Sequence, residues 1–279
     1  MDAQVFAILA FALVGACFGS FLNVCVSRWP AGLSVVKPAS RCPKCERGIR
    51  WHENVPVFGW LRLRGRCAGC ALPISIEYPL VEMAVAMLWA GAAWHGGGGL
   101  DSVRLATFAT IMLGITLTDL KHYVIPDGFT VFGFLFVLVT SVVAFFNGTG
   151  ETWFVAPIDA FYGACAGAGF IAIIGWLGEV ALRKEAMGFG DATLMAVVGA
   201  AIGPTRSIVT VFVAAALGAG VFLVIVYPIA WIRATRAGRE FEPPLVPFGV
   251  FLAPAAVGML LAGESLLEWG STFLGVPLR

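Results

Sequence analysis

The sequence predicts an all-α integral membrane protein with about eight transmembrane helices, and three observations indicate this class. The 279-residue chain is 59% hydrophobic and only 13% charged, whereas a soluble globular domain is usually about 25% charged. Its mean hydropathy is +0.89. Apolar segments long enough to cross or nearly cross a bilayer recur along the chain. Such a composition requires lipid around the protein and not only a large core.

Eight apolar segments account for most of the chain, and each is expected to form one transmembrane helix. Two of them are atypical. Segment 190–204 is short and rich in glycine, and segment 156–181 is long enough to tilt or to extend beyond the lipid. The first segment lacks the positively charged start of a cleaved signal peptide, so we expect it to be a helix of the protein. The predicted segments are 4–26, 78–95, 103–119, 128–147, 156–181, 190–204, 207–232 and 246–264.

The basic residues predict the orientation of these helices. If the N-terminus lies outside, the loops at 27–77, 120–127, 182–189 and 233–245 are cytoplasmic, and they hold 15 of the 18 Lys and Arg residues. Basic residues accumulate on the cytoplasmic side of membrane proteins because they resist translocation. The long first loop contributes nine of the 15, so the distribution supports the orientation more strongly than the number of spans.

The loop 27–77 is the one sizeable polar stretch, and it contains two Cys-x-x-Cys motifs. Cys42 and Cys45 form the first pair, and Cys67 and Cys70 form the second, with 21 residues between the pairs. Two such pairs at this separation are typical of a tetrahedral four-thiolate zinc site. Two disulfides are the alternative, but they fit poorly with a cytoplasmic, reducing location. We therefore predict a small zinc-binding insert whose metal is structural, because four thiolates leave no open coordination position.

Two aspartates, Asp119 and Asp191, are expected at the same face of the membrane. Asp119 ends the third apolar segment, and Asp191 begins the sixth, directly after Gly188-Phe-Gly190. Charged side chains beside membrane spans are costly, so they are candidates for function. Gly188 and Gly190 would allow a sharp turn and the close approach of a substrate backbone. Each acid alone has an ordinary explanation as an interfacial residue or a cap, and Asp127, predicted as the N-cap of the next helix, is the main rival.

A pair of carboxylates at one membrane depth predicts a specific chemistry. Two carboxylates that meet can share a proton and activate a water molecule. One would act as general base while the other, protonated, polarises the carbonyl group of the bond to be cut. The pair therefore suggests a peptide-cutting enzyme within the membrane, without assigning base and acid to individual aspartates.

Small and polar residues predict how the first two spans pack. Gly15 and Gly19 form a Gly-x-x-x-Gly pair that permits close contact between helices. Ser20 and Asn23 are expected either to form hydrogen bonds between helices or to contact a substrate. Glu82, early in the second span, is expected to reach the interface or to pair with an arginine.

Taken together, these motifs resemble those of the type IV prepilin peptidases, the Gly-x-Gly-Asp membrane aspartic proteases of bacteria. The likeness covers most of the chain. It departs from the family at Thr193, where a lysine is frequent. The matching motifs, in the family's order, are Gly19-Ser-Phe-Leu-Asn23, the two cysteine pairs, Tyr78-Pro-Leu-Val-Glu82, Asp119 with Ile125-Pro-Asp127, and Gly188-Phe-Gly190-Asp191.

The resemblance implies an activity, two cofactors and a set of partners. Enzymes of this family remove the short basic leader from prepilins and pseudopilins at the cytoplasmic face of the bacterial inner membrane, which makes Asp119 and Asp191 the catalytic residues. Many members with the cysteine insert also methylate the new N-terminal amine with S-adenosylmethionine. The expected partners are therefore these substrates and the lipid bilayer, with no nucleic acid. No dinucleotide-type glycine loop follows a predicted strand, so the residues that bind the methyl donor are unknown, and the polar loop 27–77 is their expected location.

Two other classes of protein compete with this interpretation. A transporter would carry its acids near the bilayer midplane at broken helices, and not at one face. A zinc-bearing assembly factor explains the cysteines but gives the aspartates no task. The sequence thus predicts three parts: a first transmembrane helix (1–26), the cytoplasmic zinc-binding insert (27–77) and a transmembrane protease core (78–279). It leaves the oligomeric state open.

Overall fold

A computed structural model describes residues 3–148, 153–183, 187–238, 240–241 and 243–274. In these ranges the regular elements are helices, and β-structure is confined to two isolated bridges. The all-α prediction is therefore confirmed. The chain divides into two compact units, Met1–Gly114 and Ile115–Arg279.

In the first unit, two long helices pack along each other through small residues. A side chain at Gly15 would place its Cβ atom 2.7 Å from the Cβ of Trp89, and one at Gly19 would lie 2.7 Å from the Cα of Glu82. The close packing predicted from the Gly-x-x-x-Gly pair is therefore present, because any larger residue would separate the helices. The helices of this unit are α1 (Ala3–Arg28), the short α2 (Phe58–Arg62), α3 (Glu77–Gly96) and the first part of α4 (Leu100–His122).

The second unit is arranged around a short helix, α7, which has eight buried residues among its 14. Gly163 of α6 and Gly199 of α7 face each other so closely that a Cβ atom on either would overlap the carbonyl oxygen of the other. Glycine at both positions therefore lets the two backbones touch. The helices of this unit after α4 are α5 (Asp127–Phe146), α6 (Pro157–Leu182), α7 (Phe189–Ile202), α8 (Pro204–Val221), a π-helical turn (Phe222–Val226), α9 (Tyr227–Ala237) and α10 (Gly249–Leu274).

Six helical stretches among the described residues are long and apolar enough, by length and composition, to cross a membrane. The predicted count of eight is not confirmed. Helix α7 has only 14 residues, and α3 carries Glu77, Glu82 and His95 among its 20, which lowers its hydropathy. The six stretches are Ala3–Ala31, Leu100–His122, Asp127–Phe146, Pro157–Ala181, Pro204–Ala237 and Gly249–Gly270.

Candidate active site and four-cysteine cluster

Asp119 lies in the last turn of α4. The apolar segment was predicted to end at Asp119, but the helix continues to His122. It stops at Tyr123, whose φ of 56° is left-handed and whose N–H donates to the carbonyl of Asp119 over 2.9 Å. The predicted boundary was wrong because a charged residue leaves helical hydrogen bonding intact, whereas a left-handed residue ends it.

The side chain of Asp119 is buried against the beginning of another helix. It is 6% exposed, and its Oδ2 atom accepts a hydrogen bond of 3.1 Å from the N–H of Val250, the second residue of α10. The first N–H groups of a helix have no partner within that helix, and they carry the positive end of its dipole. A Cβ atom on Gly249 would lie 2.7 Å from the same oxygen. Because residue 249 is glycine, the carboxylate of Asp119 has room to contact the start of α10.

Asp191 lies in the first turn of its own helix, α7. Gly188 is the N-cap and Asp191 is the third helical residue. The N–H of Asp191 donates to the carbonyl of Gly188 over 3.1 Å, and the Asp191 carboxylate accepts a hydrogen bond from the Gly188 backbone. This return contact corresponds to half of a capping box, in which an acid at the third position caps the start of the helix.

The two glycines before Asp191 are not equivalent. Gly188 has φ −78° and ψ 154°, an extended conformation open to any residue, so the expected need for a flexible residue there is not found. At Gly190 the constraint is steric, because a Cβ atom at this position would lie 3.0 Å from the Cβ of Ile125. Thr193, in the position where lysine is frequent in similar proteins, donates its hydroxyl to the Gly190 carbonyl over 2.9 Å.

The structure brings Asp119 and Asp191 into one neighbourhood of the second unit. Asp119 lies against Gly249, and Asp191 directly follows Gly190. Ile125 links these two positions, since its side chain approaches the Cβ positions of both glycines. The arrangement places each carboxylate at the N-terminus of a helix, Asp191 on its own and Asp119 on α10.

Asp127, the rival acid, occupies a different environment. It is the first residue of α5, and Pro126 is the N-cap, so the prediction of an N-cap at Asp127 is wrong by one position. The ring of Pro126 fixes the backbone before the helix, and it leaves the acid at the first helical position. Asp127 is exposed, whereas Asp119 is buried.

Sequence reasoning missed the contribution of Gly249 and Val250. The relevant signal was Pro247-Phe-Gly249, a proline and a glycine at the start of the last apolar segment. Nothing in that string points to Asp119, because 131 residues separate Asp119 from Val250.

The four cysteines of the loop 27–77 form a single cluster in the first unit. Their sulfur atoms all lie within 4.8 Å of one another, with 3.7 Å between Cys42 and Cys70 and 3.9 Å between Cys45 and Cys67. Four thiolates around a metal at bonds of about 2.3 Å have edges of about 3.8 Å. The cluster therefore has the dimensions of a tetrahedral metal site, and all four cysteines are free thiols rather than disulfides.

The two cysteine loops have the same design. An isolated β-bridge closes each one, Arg41 with Gly48 and Arg66 with Pro73. The residue after each pair is left-handed, with φ 55° at position 46 and 56° at position 71.

Each loop also directs its own N–H groups at its first sulfur. The N–H groups of Cys45 and then Lys44 point at Cys42 and lower the pKa of that thiol to about 6. The N–H groups of Cys70 and Gly69 lower the pKa of Cys67 in the same way. The backbone thus favours the thiolate form, which metal ions bind, at the first cysteine of each loop. At Cys70 the N–H of Leu72 is outweighed by burial and the neighbouring thiols, which raise the pKa of that thiol to about 11.

Comparisons with known proteins identify the family of this chain. Residues 13–96 match the bacterial peptidase A24 N-terminal domain, and residues 106–224 match the type IV leader peptidase family. A protein of Pseudomonas putida is 33% identical over 299 residues, which cover 99% of this chain and 97% of that protein. The chain belongs to the type IV leader peptidase family.

The chain covers different fractions of two further relatives. A protein of Stutzerimonas stutzeri is 30% identical over 93% of this chain and 92% of its own length. One of Myxococcus xanthus is 36% identical over 70% of this chain, but the chain spans only 56% of that protein. All three relatives carry the name prepilin leader peptidase/N-methyltransferase. No solved structure shows a significant match.

This type IV leader peptidase family member is a multi-pass bacterial membrane protein, as its six candidate spans and its bacterial relatives show.

The polar residues of α1 and α3 have defined partners. Asn23 donates to the carbonyl of Tyr78 over 3.1 Å, and Ser20 bonds to Glu82, so both connect α1 to α3. The described partners of Glu82 are a hydroxyl and a backbone N–H, and not the arginine expected as one alternative. Glu82 is 8% exposed and accepts a 2.7 Å bond from the N–H of Val57.

Proposed function

We propose that this protein is a membrane-embedded aspartic endopeptidase that removes the short basic leader from type IV prepilins and pseudopilins. We also propose that it N-methylates the amine exposed by that cut. The observation that carries the proposal is the convergence of Asp119 and Asp191 at two helix N-termini in a member of the type IV leader peptidase family. The names of the relatives, prepilin leader peptidase/N-methyltransferase, support both activities.

The cut requires one aspartate as base and the other as acid. The ionised carboxylate removes a proton from a water molecule, and the water oxygen forms a bond to the carbonyl carbon of the scissile peptide. The protonated carboxyl polarises the carbonyl oxygen and donates its proton to it. Collapse of the tetrahedral intermediate breaks the C–N bond: one hydroxyl returns its proton to the ionised carboxylate as its C=O bond forms, and the leaving nitrogen takes the proton held by the other aspartate. Two carboxyl groups that share one proton in this way titrate as a unit.

The rest of the site holds the carboxylates in place. The Val250 N–H fixes one oxygen of Asp119 at 3.1 Å, and the backbone of Gly188 holds Asp191. Hydrogen bonds that are in place before the reaction stabilise developing charge without reorganisation. Gly249 and Gly190 contribute by lacking side chains that would collide with Asp119 and Ile125.

We assign the aspartates and the cysteine cluster to the cytoplasmic face of the inner membrane, with the N-terminus outside. Support comes from the distribution of Lys and Arg, 15 of which fall in loops that this orientation makes cytoplasmic. Asp119 lies near the end of α4 and Asp191 near the start of α7. In the proposed topology these two helices run in opposite directions, so the two positions share one face.

Zinc is the metal that the cysteines suit best, and we propose that Cys42, Cys45, Cys67 and Cys70 hold it. Four thiolates in tetrahedral array select zinc or iron–sulfur chemistry, and two short Cys-x-x-Cys loops are typical of structural zinc. When bound, the metal ties the two loops together and adds to the folding free energy of the small insert 27–77. The three-part division, with this insert between 1–26 and 78–279, is part of the same proposal.

The test is cleavage of a prepilin with a basic leader by the purified, detergent-solubilised protein, followed by mass spectrometry. Wild type is compared with Asp119→Ala and Asp191→Ala. We expect cleavage at the leader boundary by wild type alone, and a gain of about 14 Da on the mature product when S-adenosylmethionine is added. Cleavage that persists in either variant would overturn the assignment of the aspartates. A folded, metal-loaded wild type that leaves several prepilins and pseudopilins uncut would overturn the proposed activity.

A further inference from the structure

A cavity of about 700 Å³ lies within the first unit. It is bounded by the last turns of α1, the first turns of α3 and the polar loop between them. Cavities of roughly 300–1,000 Å³ are the size in which proteins bind small molecules and cofactors. All of its lining residues lie between positions 17 and 82, so the aspartates of the second unit do not form it.

A buried carboxylate lies in the wall of this cavity. Glu82 lines it and is only 8% exposed. Its Oε2 atom accepts from the Val57 N–H at 2.7 Å, and the Ser20 hydroxyl bonds to the same carboxylate. A carboxylate can accept about four hydrogen bonds. Glu82 therefore retains capacity for a donor or a cation inside the cavity, while its orientation is already fixed by the protein.

The cavity also offers an aromatic face and positive charge. Trp60 lines it, and its Nε1 donates to the Ile74 carbonyl over 3.1 Å, which fixes the indole ring. Arg28 and Arg41 are among its lining residues, and each carries a positive charge. The lining thus combines an aromatic residue, an acidic residue and two arginines.

We propose that this cavity is the binding site for S-adenosylmethionine, an inference that rests on the proposed methyltransferase function. The ligand has an adenine ring that stacks on aromatic side chains, a carboxylate that guanidinium groups bind, and ribose hydroxyls and two cationic centres that a carboxylate binds. Trp60 suits the adenine ring, the two arginines suit the carboxylate, and Glu82 suits one of the hydroxyl or cationic groups. The proposal refines the sequence-based expectation, which placed the methyl donor in the loop 27–77, because residues of α1 and α3 complete the wall that this loop mostly forms.

The reaction at this site is a direct methyl transfer. The neutral N-terminal amine of the cleaved product attacks the methyl carbon, so an N–C bond forms while the C–S bond breaks. The bonding pair returns to sulfur, and the sulfonium becomes the neutral thioether of S-adenosylhomocysteine. The methylated ammonium then releases one proton to water.

The metal cluster adjoins the cavity, since Cys42 and Cys67 also line it. The loops that carry these cysteines also carry Arg41 and Arg47. Loss of the metal is therefore expected to disturb this wall and to weaken binding of the methyl donor. The α3 residue Glu82 would remain in place.

The first experiment locates the ligand directly. Radiolabelled S-adenosylmethionine is crosslinked by ultraviolet light to the full-length, metal-loaded protein in detergent, and the labelled peptides are identified by mass spectrometry. We expect label on peptides from residues 17–82 and protection by excess S-adenosylhomocysteine. Label confined to residues 115–274 would overturn the proposal, and so would protection by a basic leader peptide with none by S-adenosylhomocysteine.

The second experiment measures affinity by equilibrium dialysis. Glu82→Gln keeps an oxygen for the Val57 N–H but removes the charge, and we expect its Kd for S-adenosylmethionine to rise at least about tenfold. Glu77→Gln is the matched control, because it makes the same change on the same helix outside the cavity lining, and its Kd should equal that of wild type. Ser27→Trp is a second test, because this exposed position lines the cavity and a bulky ring there takes up part of its volume.

Prepilin cleavage by the same samples separates the two proposals. Variants that still cut prepilin but bind the donor weakly would support the site, and their cleavage would show that they fold. Unchanged affinity in both Glu82→Gln and Ser27→Trp would overturn it. A wild type that binds the donor in the cavity without cutting prepilin would instead overturn the peptidase proposal.

Discussion

The cysteine cluster and the aspartate pair are built in opposite ways. All four cysteines come from one stretch between positions 42 and 70, and each pair is shaped by hydrogen bonds within its own loop. The aspartates come from two helices, and Asp119 is held by the N–H of Val250, which lies in a third helix and 131 positions further along the chain. One site is local in sequence and the other depends on the packing of a whole unit.

This difference determines what disturbs each site. The cluster depends on a few backbone turns and on the metal, so changes inside the loop should affect it while the aspartates remain in position. The aspartate pair depends on close approaches between helices, so a single added methyl group at a contact should affect it. Measuring how a change at one site affects the other site therefore tests whether the two sites are independent.

The largest effect is expected from Asp119→Asn or Asp191→Asn. Either change removes a group that must gain or lose a proton, so cleavage should fall by at least about 10³-fold. Metal content, measured by atomic absorption, should equal that of wild type, because the cluster lies in the other unit. Loss of bound metal in these variants would show that the two sites depend on each other.

The converse change is Cys42→Ser combined with Cys67→Ser. Removing one thiolate from each loop should abolish stoichiometric metal binding and unfold the insert. Limited proteolysis should then cut within 27–77, and methyl transfer should fall by a larger factor than leader cleavage. Cys165→Ser is the matched control, since this cysteine lies outside the cluster. Equal losses of both activities would contradict the separation of the two sites.

An intermediate effect is expected from Gly249→Ala. The added Cβ atom would lie 2.7 Å from Oδ2 of Asp119, so the carboxylate or α10 must move. A displacement of this kind costs about 10² in rate, measured as kcat for leader cleavage. Gly258→Ala is the control on the same helix, because its Cβ meets nothing within 4 Å. Similar rates for the two variants would show that Gly249 does not position Asp119.

The smallest effect concerns the ion pair of the insert. Arg47 lies 2.7 Å from Glu53, and this contact lowers the pKa of Glu53 to about 2. A carboxylate whose pKa is lowered on folding stabilises the protein at pH values above its usual pKa, which is near 4.3. This stabilisation is lost as the pH falls toward 2. The difference in thermal midpoint between wild type and Arg47→Met should therefore be constant from pH 8 to 5 and shrink below pH 4.

The control for this comparison is Arg62→Met, an exposed arginine of the same insert. Its difference from wild type should stay small and independent of pH. A difference for Arg47→Met that grows on acidification would contradict the sign of the Glu53 shift.

The sequence predicted the cysteine cluster more completely than the aspartate pair, because only the cluster is formed by residues that are close together in the chain. Spacing alone predicted the cysteine cluster, because two residues between cysteines set the turn that brings their sulfurs together. Spacing also placed Asp119 and Asp191 near one face. It could not show that Asp119 contacts the start of α10, or that Gly249 leaves the necessary space, since helix packing decides such contacts.

The helix boundaries show a related limit. Hydropathy predicted α7 as a span, but its length of 14 residues is set by Gly203, whose φ of 81° ends the helix. Hydropathy carries no information on backbone handedness. For the same reason it ended α4 at its charged residue and not at Tyr123.

The shortness of α7 has a mechanical consequence. Its 14 residues span about 21 Å, whereas the hydrocarbon core of a bilayer is about 30 Å thick. A lipid-facing helix would meet this mismatch by thinning the membrane or by drawing its ends inward. Helix α7 has protein around it, with α5, α6, α8 and α10 as neighbours. We therefore expect a change in bilayer thickness to alter the tilt of the longer outer helices. The helix that carries Asp191 should keep its position, because it is surrounded by protein and not by lipid.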